Sequence, residues 1–154
     1  MSNTPFHRGA IHEAGHAVMA RKLGAELGLI AINLANPHEA AHAQVIWTEE
    51  IRTPANEIRV AAASRACLLA FGYNTSLDQG LVGDQVVIDN ELSELLPDDE
   101  TRKQRYLAQV DAELGLLFNR PNVRAAVVGL VETLMHEGQI DGPLAEAIID
   151  RHLA

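Results

Sequence analysis

The feature that most constrains this chain is a pair of histidines four residues apart with a glutamate beside the first, because that spacing does chemistry only where the backbone is helical. It occurs twice, as His12-Glu13-Ala14-Gly15-His16 and as His38-Glu39-Ala40-Ala41-His42. On a helix, residues four apart share a face, so the two imidazoles can grip one divalent ion while the intervening Glu reaches a water in the same site. In a strand or loop the same letters carry no such geometry.

The first copy has a helical setting. Thr4 suits a cap and Pro5 the first helical position, while Ile11, Ala14, Val18 and Met19 supply an apolar face that runs towards Leu23. Gly24 offers a stop, just after Arg21 and Lys22, whose charges suit the negative end of a helix dipole. The pattern predicts a helix over 5–23. The second copy sits between two β-like runs, Leu29 to Leu34 and Gln44 to Thr48, with only Asn36-Pro37 before it resembling a helix start. The first copy is therefore favoured as the metal site. His38, Glu39 and His42 read as a solvated turn, with an accessory metal site or a place at the rim of a cleft as the alternative.

A length of 154 residues with 47% hydrophobic content predicts one domain over 1–154. Only 4% of residues are aromatic and alanines are abundant, so close helix packing should build the core. The lone Cys67 excludes an internal disulfide and reads as a small buried apolar side chain. A net charge of −9 and a pI near 5.1 argue against a nucleic-acid partner or an anionic membrane surface, which need clustered Lys and Arg. Nothing in the sequence has the length of a signal peptide or a membrane span, so a soluble cytoplasmic protein without membrane insertion is expected.

Past the first helix, Gly28 to Leu34 and Ala43 to Thr48 are expected to pair as a small antiparallel unit. Pro54 opens an alanine-rich helix to about Phe71, and Tyr73 to Gly83 reads as a loop. A further helix is expected from Asp84 until Pro97 halts it, then others over 99–118 and 123–136, and a terminal one from Asp141-Gly142-Pro143 to Leu153. Asp98-Asp99-Glu100 reads as a solvated helix start. His7, His136 and His152 have no partner pattern and are expected at the surface. The fold class is mainly α (α+β), a helical bundle with a small antiparallel β element after the first helix.

A catalytic zinc site takes three protein ligands, so two histidines leave one to find. Lys22 occupies the place of a third His in the extended motif, and the segment Gly28 to Thr48 is not the helix that a downstream Glu ligand would need. The third ligand must come from farther along the chain.

The run Ile11-His12-Glu13-Ala14-Gly15-His16-Ala17-Val18 resembles the active-site helix of the FtsH-type zinc metallopeptidases, the protease domain of ATP-dependent membrane proteases. Ala63-Ser64-Arg65-Ala66-Cys67-Leu68 stands where that family has an Ala-Gly-Arg-Ala-Ala-Glu type sequence, and Leu134 to Gly142 resembles its closing helix-turn-helix. The resemblance spans most of the chain, in order, and implies a zincin-like fold. The family's third ligand is an Asp in a Gly-rich loop, for which Gly80-Leu81-Val82-Gly83-Asp84 is the matching place. Asp78 is the nearest rival, and for Asp84 a helix N-cap is the competing reading.

The resemblance implies Zn²⁺ held by His12, His16 and Asp84, with Glu13 as general base in metal-assisted hydrolysis of peptide bonds. The same donors also take Fe²⁺, Mn²⁺ or Co²⁺. Two departures stand out: Leu68 occupies the family's Glu position, and neither an ATPase domain nor a membrane anchor is expected. Asn36 to His42 also replaces the family's Pro-Arg-Gly type loop beside the cleft. Substrates would be peptides or unfolded proteins, with a separate unfoldase or a homo-oligomer as the possible companion. The alternative is a catalytically inactive domain that retains the metal and binds a partner protein.

Overall fold

The computed structural model describes residues 5–35, 41–75 and 80–154. The elements follow in the order α1 (Pro5–Lys22), β1 (Glu26–Ala31), β2 (His42–Ile46), α2 (Pro54–Ala70), α3 (Gly80–Leu95), α4 (Glu100–Phe118), α5 (Pro121–Glu137), β3 (Gln139–Ile140) and α6 (Gly142–Leu153). The class is the expected one, mainly α with a small antiparallel sheet. No helix among the described residues is long and apolar enough to cross a membrane.

Local chemistry sets several of the boundaries. Thr53 caps α2, its hydroxyl accepting from the Asn56 N–H, and Pro54 follows at the helix start. Asp99 and Asp141 cap α4 and α6 in the same way, accepting from the N–H groups of Arg102 and Leu144. After α1 the chain turns at Gly24, whose φ of +95° is one that side chains rarely adopt. Thr4, the expected cap of α1, lies outside the described residues.

The first helix is the centre of the molecule. It packs against α2, α5 and α6 and against both β1 and β2. Ala10, Ile11, Ala14, Ala17, Val18 and Ala20 are therefore all fully buried, although they are spread around its circumference. Small residues make that possible. A Cβ on Gly15 would stand 2.8 Å from the Cys67 Cβ and 3.0 Å from the Ala63 carbonyl oxygen, so its absence sets the close approach of α1 to α2. Cys67 is buried there, as expected, and burial pushes its thiol pKa up.

The sheet has the order β2-β1-β3 and is antiparallel throughout. Ala31 pairs with His42 and Leu27 with Val45, with a bulge between Leu27 and Ile30. Among the described residues strand β2 is an edge: Ala43 and Val45 pack against the core while His42, Gln44 and Ile46 point outward.

Four details differ from the sequence reading. Strand β1 begins at Glu26 rather than Gly28, because Glu26 and Leu27 already pair with Ile46 and Val45. It ends at Ala31, and β3, too short to show a period, completes its other side. Helix α3 begins at Gly80 rather than Asp84, since Leu81, Ile88 and Leu92 form one buried stripe and packing carries the helix back through a glycine-containing stretch. His7 is buried, its Nδ1 in a hydrogen bond with the Tyr73 hydroxyl, whereas His136 is exposed as expected.

Candidate metal centre

Three helices build the site. The i, i+4 spacing on α1 turns His12 and His16 to one face, and Glu13, next to His12, is buried beside them. Asp84 is the fifth residue of α3, not its cap, and stands one turn from both Leu81 and Ile88 on the face that packs inward. Helix α2 lies behind both and contributes the Val60 carbonyl and the Ser64 hydroxyl.

The ligand atoms converge. His12 Nε2 and His16 Nε2 are 3.2 Å apart. Asp84 Oδ2 lies 3.2 Å from His12 Nε2, and Asp84 Oδ1 lies 3.3 Å from His16 Nε2. A tetrahedral zinc ion with bonds of about 2.0–2.1 Å needs donor atoms about 3.3 Å apart, and the triangle of two imidazoles and one carboxylate has sides of that length, each ring facing a different carboxylate oxygen. Two imidazoles and one carboxylate are also the donor types such an ion takes, and three protein donors among the described residues match a catalytic rather than a structural site. The residues fit the group. Among the described residues no other cluster of His, Cys, Asp or Glu side chains converges in this way.

Hydrogen bonds orient the donors. His16 Nδ1 donates to the Val60 carbonyl oxygen over 2.7 Å, which places Nε2 towards the site. Ser64 Oγ lies 2.7 Å from Asp84 Oδ2 and 3.2 Å from the Ala61 carbonyl oxygen. A hydroxyl has one proton, and the shorter, charged acceptor takes it.

The electrostatics follow from crowding these groups in a nearly dry place. Burial alone would raise the Asp84 carboxyl, but hydrogen bonds from His12, His16 and Ser64, with the charge of His16, hold it well below the usual carboxylate range. Burial opposes charge on His16 too, yet the hydrogen bond and charge of Asp84, the charge of Glu13 and the Val60 carbonyl push its pKa up to about 9. Burial raises the Glu13 carboxyl, against the lowering charges of His16, His12 and His42. Glu13 Oε1 stands 3.9 Å from His12 Nε2, beyond hydrogen-bond reach, so Glu13 is held near the ligands without joining them.

Of the second copy of the motif, His42 is the first residue of β2, and its charge reaches Glu13. A strand carries it, not a helix. His38, Glu39 and the rival ligand Asp78 lie outside the described residues. Leu68 is fully buried among apolar side chains. The polar contact from α2 comes instead from Ser64, one turn earlier, which sequence reasoning passed over. A signal was present: Ser64 is a polar residue directly after the apolar run Val60-Ala61-Ala62-Ala63, and the structure buries it fully.

Comparison of the chain with protein-family models gives no match, and neither does comparison with curated proteins.

Proposed function

We propose that the chain is a zinc metallopeptidase of FtsH-like type, hydrolysing peptides or unfolded proteins, with His12, His16 and Asp84 holding the metal and Glu13 as general base. The observation that carries this reading is the buried triangle of donors at tetrahedral spacing, with the unligated carboxylate of Glu13 beside it. A bound Zn²⁺ supplies Lewis acidity, which lowers the pKa of a water and polarises the scissile carbonyl.

The chain's own residues do the rest. Glu13 takes the water proton and passes it to the leaving amine, and its raised pKa brings it closer to the value at which a carboxylate both accepts and releases a proton near neutrality. The Val60 carbonyl keeps the His16 ring in the tautomer that faces the site. Strand β2 supports a peptide substrate: it packs beside α1, is paired on one side only among the described residues, and so offers backbone groups for an added strand. A separate unfoldase, or assembly of several copies, would serve folded substrates, and a cytoplasmic setting that keeps Cys67 reduced belongs to the same proposal.

Glu13→Gln tests the reading. Zinc content, measured by elemental mass spectrometry, should stay at the wild-type level, while hydrolysis of unstructured peptides should fall by at least ~100-fold. Hydrolysis at the wild-type rate in this variant would falsify the assignment.

A further inference from the structure

We propose that Ser64 is a positioning residue that makes Asp84 a one-oxygen ligand. The inference rests on the metal-binding part of the reading above and deepens it. Ser64 is completely buried on α2, its Oγ is 2.7 Å from Asp84 Oδ2, and its other neighbouring acceptor, the Ala61 carbonyl, is farther off at 3.2 Å. The hydroxyl proton therefore sits on Oδ2, which also lies 3.2 Å from His12 Nε2, whereas Oδ1, 3.3 Å from His16 Nε2, carries no bond from Ser64.

The choice of oxygen matters because Asp84 arrives on a different helix from the two histidines. His12 and His16 are locked together by the pitch of α1, whereas the carboxylate can rotate about its own χ angles. With both oxygens free, a carboxylate can swing flat onto an ion and bind through both, adding a donor and crowding the position that water or substrate needs. A hydrogen bond from a rigid helix to one oxygen prevents that swing. Ser64 is suited to the task since α2 touches both α1 and α3 and is held against α1 at Gly15, so the hydroxyl refers the carboxylate of α3 to the same frame as the imidazoles.

The experiment compares wild type, Ser64→Ala and Ser64→Thr as full chains. Zn²⁺ affinity is measured by competition with a chromophoric chelator, and the visible d–d absorption is recorded with each protein saturated with Co²⁺. Ser64→Ala should bind Zn²⁺ about 10- to 100-fold more weakly. Its Co²⁺ bands should lose intensity, as they do when a four-coordinate ion gains a fifth donor. Ser64→Thr, which keeps the hydroxyl, should recover both; if its extra methyl prevents folding, the Ala spectrum decides by itself. Wild-type affinity and spectrum in Ser64→Ala overturn the proposal. Weaker binding with an unchanged spectrum also overturns it, by assigning Ser64 to packing alone. Both results leave the metal site standing, whereas failure of folded wild type to take up Zn²⁺ removes that reading and this one together.

Discussion

At the scale of residues, the site depends on keeping one carboxylate in the triangle and one out of it. Asp84 meets both imidazoles, while Glu13, from the same helix as the histidines, stops 3.9 Å short of His12 Nε2. The two motif copies separate on the same ground: His16→Ala should abolish stoichiometric zinc in elemental analysis, and His42→Ala should leave it intact because His42 is no part of the triangle. Zinc content lost only in the His42 variant would move the site to the second copy. Metal affinity should also depend on pH. A ring with a pKa raised to about 9 must give up its proton before Nε2 can bind a metal. Chelator competition should therefore show zinc affinity rising about tenfold per pH unit as pH approaches that value. A flat profile between pH 6.5 and about 9 would contradict the His16–Asp84 ion pair as described.

At the scale of elements, the site is made by the contact between α1 and α2, with α3 laid across it. Gly15 is the point of closest approach and stands next to His16 in the chain. Gly15→Ala places a methyl group against the Cys67 Cβ and the Ala63 carbonyl, and the helices must part. Destabilisation by about 1–3 kcal/mol is expected, read from denaturant unfolding, together with weaker zinc binding because α1 moves relative to Asp84. Wild-type stability and affinity in this variant would show that the spacing does not set the site. The elements were unequally legible. Helix α2 shows its proline in the sequence, and α1 its period, so both are legible to within a residue or two, whereas the Thr53 cap of α2 emerges only in the structure. The start of α3 was not, because glycines at 80 and 83 favour a loop locally and only burial of Leu81 against neighbouring helices outweighs that preference.

At the scale of the molecule, the proposed metal would be coupled to the fold, since an ion held between α1 and α3 would bind the folded chain alone. With free zinc at about 100 times its Kd, the folded state gains about 2.7 kcal/mol, so chelation should lower Tm in calorimetry; equal Tm with and without chelator would exclude a tightly held ion. In the metal-free protein, stability should vary with pH. His16, with its pKa raised from 6.5 to about 9, contributes stability that is fully present below pH 6.5 and is lost as pH rises through about 9. Asp84, with its pKa lowered, contributes above its ordinary value of 3.8, and that share disappears only as pH falls through its lower folded value. Both shifts describe the same ion pair and are not summed. A metal-free Tm that climbs between pH 6.5 and about 9 would reverse the sign.

What the sequence determined by itself is the mainly helical class, the helix that carries His12, Glu13 and His16, and the burial of Cys67. Helical pitch, caps and apolar periodicity act over a few residues, and those are visible in a string of letters. The tertiary structure alone decided that Asp84 comes to within 3.3 Å of the imidazoles from inside a helix, that His42 leads an edge strand, and that Ser64 and the Val60 carbonyl back the site. These contacts join residues far apart in the chain through the packing of α1, α2 and α3. No local rule records how closely two helices pack, and here that distance is set by a missing Cβ at Gly15.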